Sequence, residues 1–359
     1  MILTQAGISG FRNLADVTLV PAPTFNILHG GNGAGKSSIL EAFHLLSTGH
    51  SYRTRKIKEL ITLGQSELTV TAQLLNPTSE ASHRAGIRKS RNGETELKLD
   101  FEPLNSAAEM ARTLPVKALF PDSHRLMQDG PAIRRQFLDW GVFHVEPGFF
   151  QSWKSYRRAL DQRNQGLRAQ LPDSEITAWH PELAQAGESI TRNRLDYVAA
   201  LSPRLQHYLS LFDIDVEIEL GYRPGWTDEI PLLEKLEQSL DQCRRFRTTT
   251  VGPHRAELTI NLEQMPARQI LSRGQQKLVV YALHFAQLEL FSSASQSRAV
   301  VLCDDLPAEL DEDHLQRVLA CLESMQLQTF ITSNRPLNCP EFTGLKSFHV
   351  ERGLVREVV

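Results

Sequence analysis

Cysteine is scarce in this chain: four residues in 359, Cys243, Cys303, Cys321 and Cys339, with no C-x-x-C pair. That spacing excludes a zinc ribbon and a disulfide framework, and it suits a reducing cytosol. No stretch approaches 18 uninterrupted apolar residues, so no membrane-spanning helix is expected. The opening "MILTQAGISGFRNL" has no basic segment leading into an apolar run, so no secretory signal is expected either. A sustained heptad run is missing, which excludes a long coiled coil. Internal repeats and low-complexity segments are also absent. Excess charge is lacking too: the net charge is −3 and the pI about 6.5. A protein that coats nucleic acid everywhere would be more basic, so any polyanion site must be a local patch. The 41% apolar content is enough for two ordinary domains, or for one large core with a sub-domain. The expectation is a soluble, cytoplasmic protein.

Residues 1–100 read as strands around one helix. "FNILHG" is a short apolar run ending in glycine, hence a buried strand. The next stretch switches to helical spacing, with Ile39, Leu40, Phe43 and Leu46 on one face and Gly49 as the stop. "ELTVTAQL", "HRAGIRK" and "ETELKLDF" suggest a meander. From about 120 to 246 the pattern is helical and rich in arginine. A turn at "PDS" (172–174) separates two long helices, the second weakened at Pro203. Such a pair lies antiparallel and would span roughly 35–40 Å, as a packed sub-domain or a protruding arm. Beyond 255 strands and helices alternate again. The expected organisation is an α/β lobe split between 1–110 and 255–359, with a mainly helical lobe, 111–254, inserted.

Three motifs carry chemistry. "GGNGAGKS" (Gly30, Gly31, Asn32, Gly33, Ala34, Gly35, Lys36, Ser37) fits G-x-x-x-x-G-K-[ST] between a strand and a helix, and Ser38 follows. Its glycines let backbone N–H groups curl around phosphates, Lys36 reaches the β- and γ-phosphates, and the Ser37 hydroxyl ligates Mg²⁺. "VVLCDD" (Val300–Asp305) ends a buried strand in two carboxylates, at the edge where such sheets bind ligands. Asp304 is expected to hold Mg²⁺, through water or via Ser37, and Asp305 to face the attacking water. "LSRGQQK" opens a helix: Ser272 is placed to cap it, leaving the N–H groups of Arg273, Gly274 and Gln275 to face an anion. Read alone, the last motif is a capped surface helix.

In this order the motifs resemble the ABC-type ATPases of the SMC-like group, whose signature is Ser-x-Gly-Gln, as at Ser272, Gly274 and Gln275. "ISGFRNL" (Ile8–Leu14) resembles that group's opening strand, whose Phe-Arg pair, here Phe11 and Arg12, approaches the nucleotide. "PAELD" (Pro307–Asp311) resembles the segment that faces the dimer interface. "GPAIRRQFLDW" (Gly130–Trp140) and "TTVGPHRAEL" (Thr249–Leu258) narrow the resemblance to the RecF family, with Glu257 where aspartate is usual. The resemblance covers the whole chain. It implies an α/β ABC/SMC-type ATPase head and an ATP-dependent homodimer using ATP and Mg²⁺. Such a dimer binds double-stranded DNA and ss/dsDNA junctions and works with RecR and RecO to promote RecA loading at gaps and SOS induction. Transporter-type relatives place a histidine near the γ-phosphate; here that position falls at Ser333 or Asn334, and Asp305 stands where many relatives have glutamate. This implies a weak, timer-like, DNA-stimulated ATPase. The "GPHR" segment is expected near the nucleotide or a lobe interface. A transporter ATPase subunit and a non-hydrolysing DNA clamp are the alternatives.

Candidate DNA contacts are the basic clusters: Arg53, Arg55, Lys56 and Lys58; Arg157 and Arg158; Arg244 and Arg245; and Arg134–Arg135, for which the family signature also allows a structural or interfacial role. Phosphate contact needs charge and no base-reading pattern.

Overall fold

The computed structural model describes residues 1–359 except 121–123, 228, 296–297, 338–341, 343 and 359. Cys339 thus lies outside the described residues, while Cys243, Cys303 and Cys321 are free and buried. Among the described residues no helix is long and apolar enough to cross a membrane. The chain divides into two units, Met1–Ser123 with Ser292–Val359, and His124–Phe291.

The first unit holds two six-stranded sheets. One runs β2 (Val17–Leu19), β1 (Ile2–Ser9), β4 (Glu67–Leu75), β5 (Ser82–Ser90), β6 (Thr95–Leu99), β7 (Glu102–Pro103), every pair antiparallel. Its alternation is plain in β4, where Leu68, Val70, Ala72 and Leu74 are buried and their neighbours are not; one face meets the core and the other meets water. The second sheet runs β15 (Leu354–Val358), β14 (Lys346–Glu351), β3 (Phe25–His29), β13 (Gln328–Ser333), β12 (Val300–Cys303), β8 (Val116–Leu119). All its pairs are parallel except β14–β15. Every residue of β3, β12 and β13 is buried, as in sheets covered on both faces. Helix α1 (Lys36–Thr48) packs against β4 and β5 on one side and β8 and β13 on the other. That is why it is buried nearly all round instead of along one stripe. It ends at Gly49, whose φ is +74° and whose N–H donates to the Leu45 carbonyl at 2.8 Å. Short helices α2 (Ala107–Thr113) and α12 (Leu306–Glu309) and the longer α13 (Glu312–Ser324) complete the unit.

The second unit comprises α3 (Arg125–Gln128), α4 (Pro131–Val145), α5 (Phe149–Ala169), α6 (Asp173–Thr177), α7 (His180–Leu211), α8 (Leu232–Gln238), α9 (Leu240–Phe246), α10 (Ala267–Ile270) and most of α11 (Arg273–Ala294). A small antiparallel sheet of β11 (Met265–Pro266), β10 (Glu257–Leu262) and β9 (Glu219–Arg223) accompanies them. Helices α5 and α7 run antiparallel: Ser152 meets Ser189 (3.1 Å) and Arg158 meets Glu182 (2.7 Å), so partners descend one helix as they climb the other. The expected turn at 172–174 is the start of α6. Helix α7 passes through Pro203, where buried Leu201 and Leu205 hold it against a cost of about 3 kcal/mol. The turn end of the pair is packed, with Leu167, Ile176 and Cys243 in one cluster and Arg244 bonded to Asp173. A packed sub-domain describes it better than a bare arm.

The two units differ from the expected boundaries at two places. Residues 116–119, expected in the helical lobe, form β8 beside β12. Residues 255–291, expected with the α/β lobe, group with the helices because β10 pairs with β9. The two family-like segments meet here. Arg134 makes a forked pair with Glu257 (2.7 and 3.2 Å) and donates to the carbonyls of Leu126 (3.0 Å) and Asp129 (2.7 Å). Arg135 donates to Ala256 O at 2.7 Å. This pair of arginines is therefore structural. Arg134→Ala is expected to lower stability by about 2–4 kcal/mol, because it strands a half-buried carboxylate and two carbonyls. Arg134→Lys keeps the charge but loses the fork, so it recovers only part. Urea midpoints of the two variants check this; an unchanged midpoint in Arg134→Ala contradicts it.

Candidate nucleotide site

Strands β3, β13 and β12 are neighbours and parallel, so their C-terminal ends open on one edge. Three segments distant in sequence meet there: the loop 30–37, Asp304–Asp305, and the exit from β13. The loop turns tightly because glycine allows it. A Cβ on Gly30 (φ +153°) would lie 2.1 Å from Val350 O, and one on Gly35 (φ +116°) would lie 2.7 Å from a Leu14 methyl. The loop thus delivers Lys36 as the first residue of α1, with the helix N-terminus facing the cavity.

Lys36 is nearly buried, and its Nζ donates to Gly30 O (2.7 Å), Gly31 O (2.9 Å) and Asn334 Oδ1 (3.1 Å). Burial lowers its pKa, and Asp305 and Asp304 oppose that. Asp304 Oδ1 accepts from Ser37 Oγ at 2.8 Å and from Thr332 Oγ1 at 2.7 Å. Asp305 has a left-handed φ of +54°, and its N–H donates to the same Thr332 hydroxyl at 2.7 Å. Burial first, then the adjacent Asp304, raises its pKa, with Lys36 opposing. The cavity measures about 520 Å³ and is lined by Arg12, Asn13, residues 32–38, Arg53, Asp304, Asp305, Thr332 and Asn334. All belong to the first unit.

Each expected residue has a place. Asn32, Gly33, Ala34, Gly35, Lys36, Ser37, Ser38, Asp304 and Asp305 line this cavity, and Gly30 and Gly31 hold the Lys36 ammonium. Arg12 lines it too, but Glu41 holds its guanidinium (2.6 and 2.7 Å). Of the two positions considered for the histidine, Asn334 faces the cavity, while Ser333 is buried and bonds Arg335 O. Arg53, expected among the DNA contacts, lines this cavity, 3.8 Å from Glu41. Asn13, Glu41 and Thr332 were missed. Asn13 bridges Gly33 O (2.9 Å) and Ser38 Oγ (3.1 Å), joining the opening strand to the loop.

Ser37 and Asp304 fit Mg²⁺ by donor chemistry: both present hard oxygens, and their 2.8 Å separation is close to the roughly 3 Å between adjacent ligands of an octahedral ion. Among the described residues no cluster of three or more acidic, histidine or cysteine side chains could hold a metal. An ion here would therefore lean on substrate phosphates, as Mg²⁺ commonly does.

The signature segment lies in the second unit. Ser272 Oγ accepts from Gln275 N (3.3 Å), and Gln275 Oε1 accepts from Ser272 N (3.0 Å), a reciprocal capping box. The Gln275 N–H, expected to face an anion, is thus engaged. Gln276 anchors the preceding turn through Arg268 O and Leu271 O. A Cβ on Gly274 would meet nothing nearer than Ser272 Oγ at 4.0 Å. Asp311, expected toward an interface, caps α13 by accepting from His314 N at 3.0 Å. His254 of "GPHR" sits beside Tyr156 (2.6 Å), and burial lowers its pKa to about 4.

Of the other basic residues, Lys56 pairs with Glu59 (3.1 Å) and Arg158 with Glu182 (2.7 Å). Arg244 pairs with Asp173. Arg157 and Arg245 lie over the rings of Trp153 and Phe246. Arg55 and Lys58 are exposed.

Residues 2–348 match the family model described as RecF/RecN/SMC N terminal domain. The chain is 42% identical over 363 residues to the DNA replication and repair protein RecF of Pseudomonas aeruginosa (strain PAO1), covering 99% of this chain and 98% of that protein. It is 41% identical to that of Stutzerimonas stutzeri over 100% and 98%. Its fold matches the recombination mediator protein RecF-ATP of the RecFOR pathway with a TM-score of 0.89, at 25% identity over 100% and 98% of the two chains. An SMC head bound to the C-winged helix domain of ScpA matches at 0.63 and 15% identity, over 100% and 98%. The split α/β head, the loop-and-carboxylate site at its sheet edge and these full-length likenesses agree: the chain belongs to the RecF family, within the broader group of RecF- and SMC-type heads.

Proposed function

We propose that this chain is an ATP-dependent DNA-binding protein of recombinational repair and replication, one that dimerises on ATP and hydrolyses it slowly. The observation that carries the reading is the preassembled trio of Lys36, Ser37 and Asp304 at one sheet edge. In this reading Lys36 leaves the loop carbonyls for the β- and γ-phosphates, and the α1 N-terminus and the loop N–H groups surround them. Mg²⁺, held by Ser37 and Asp304, would neutralise phosphate charge. Thr332 fixes both aspartates at once, so Asp304 stays on Ser37 while Asp305 points into the cavity as the base for water. Full-length likeness to RecF proteins supports DNA binding and partnership with RecR and RecO, and through them RecA loading and SOS induction. The experiment is ATP titration of the wild type and Lys36→Met: binding that survives the substitution contradicts the site.

The paired Arg158 and Arg244 stand behind Arg55 and Lys58 as phosphate contacts. Arg55→Ala with Lys58→Ala is expected to reduce the slope of log K against log salt for duplex DNA by about 2. ATP affinity should not change, since neither residue lines the cavity. An unchanged slope removes this segment from the DNA surface.

A further inference from the structure

The antiparallel sheet carries a second cavity, of about 470 Å³, on its solvent face. Cross-strand pairing explains it. Thr18, Gly7, Thr71, Gly86 and Lys98 lie opposite one another in a single row across β2, β1, β4, β5 and β6. The two glycines, on either side of Thr71, leave two of the five positions without side chains, so the row is shallow there; the whole row spans about 19 Å at the usual strand spacing. Gly86 needs no such freedom for its own fold. A Cβ there would meet only Thr71 Cγ2 at 3.8 Å and Val70 O at 3.9 Å, which is ordinary contact. Glycine inside a strand weakens it and often marks close approach of a ligand.

The wall of the cavity is built to present a ring. Asp100 and Phe101 form the two-residue turn between β6 and β7, with φ of +52° and +71°. A bulky side chain in that region is strained, yet Phe101 is 71% exposed. The turn is pinned: Asp100 accepts from Arg84 N (2.8 Å) and contacts the His83 ring (2.6 Å). The Arg84 guanidinium lies over the Phe101 ring, 5.4 Å from its centre. The lining includes two cations, Arg84 and Lys98, and no carboxylate. Lys98 has a surface pair with Glu96 at 2.8 Å, of a kind too weak to stop it re-pairing with phosphate.

We propose that this face binds single-stranded DNA, with Phe101 stacking on a base and Arg84 and Lys98 holding phosphates along this row. Cationic grooves with exposed aromatics are the common means of holding single strands, because every base has a face to stack. A duplex keeps its base faces covered. A peptide strand added to a sheet needs a free edge, and the strands under this row are already paired with one another. The proposal rests on the DNA reading above and deepens it, since a junction offers both a duplex and a single strand.

The test compares fluorescent oligo-dT and a fluorescent duplex, by anisotropy, on the full chain. Gly86→Leu fills the cavity without changing charge. Phe101→Gly removes the ring and suits the left-handed φ, so it should not lower the thermal midpoint. Each is expected to weaken oligo-dT binding about tenfold and to leave duplex and ATP binding unchanged. Unaltered oligo-dT affinity in both variants overturns the proposal. Equal loss for duplex and oligo-dT also overturns it, by making the face a duplex surface. A wild type that binds duplex but not oligo-dT overturns the proposal and spares the DNA reading; one that binds neither removes both.

Discussion

Asp304→Asn is expected to cut Mg²⁺-dependent ATP affinity by roughly 10–100-fold, whereas Asp305→Asn keeps ATP affinity and loses roughly 10²–10⁴-fold in kcat. The two carboxylates are adjacent in sequence but differ in partners. Asp304 accepts from Ser37 and Thr332, so in the proposed site its charge would face the metal. An asparagine could still accept those hydrogen bonds but would not attract the cation. Asp305 gives only its backbone N–H to Thr332 and lines the cavity with a carboxylate whose pKa is raised by burial and by Asp304. A raised pKa makes it a better proton acceptor, provided it is ionised. Turnover should therefore fall as pH drops through that raised value, and Asp305→Asn should remove this acidic limb. Calorimetric titration with ATP, with and without Mg²⁺, and a pH profile of phosphate release measure both halves. Equal loss of ATP affinity in the two variants would sink the division of labour.

The parts of this site that are legible in sequence are those set by local rules. Gly30–Ser37 turns as it does because Gly30 and Gly35 sit where a Cβ would collide. The apolar run 300–303 must end at a sheet edge because a carboxylate cannot follow it inward. Even the Ser37–Asp304 contact, 267 residues apart in sequence, follows once both segments are placed at the same edge. What stayed hidden depends on long-range partners. Arg12 lines the cavity as expected, but its ion pair with Glu41, fully buried on α1, could not be foreseen. Helical spacing gives no warning of a buried acid. Ser333 and Asn334 differ by one position, and strand alternation sends them to opposite sides; only the observed register chooses Asn334. Arg53 reads as part of a basic run, although the fold brings it to the nucleotide cavity. The pairing of β9 with β10 joins residues 219–223 to 257–262 across a connection without a hairpin signal, and Arg273–Phe291 falls in the same unit as that pair.

The phosphate loop lies in the first unit and Ser272–Gln275 in the second, and the cavity around Lys36 is lined by first-unit residues. The signature turn is already satisfied by its own capping box. Gly274 has open space around its absent Cβ, so nothing in its own chain demands glycine there, and a glycine in a helix costs up to about 1 kcal/mol. Its use would be explained by a phosphate approaching the helix N-terminus closely, where the Arg273 and Gly274 N–H groups have no recorded acceptor among the described residues. If that phosphate is held by Lys36 of a second copy, each nucleotide is shared between chains, and ATP acts as the glue. Lys36→Met lacks the loop grip and keeps the signature; Ser272→Arg is the reverse, with a long cation blocking the helix start. Mixing the two inactive proteins produces dimers with one doubly broken site and one intact site. Action between chains then predicts that ATP occlusion returns at one of the two sites in each mixed dimer, with some association or hydrolysis. A site complete within one chain predicts no rescue at any ratio. No rescue, with both variants folded and Ser272→Arg still binding ATP, rules out the shared site.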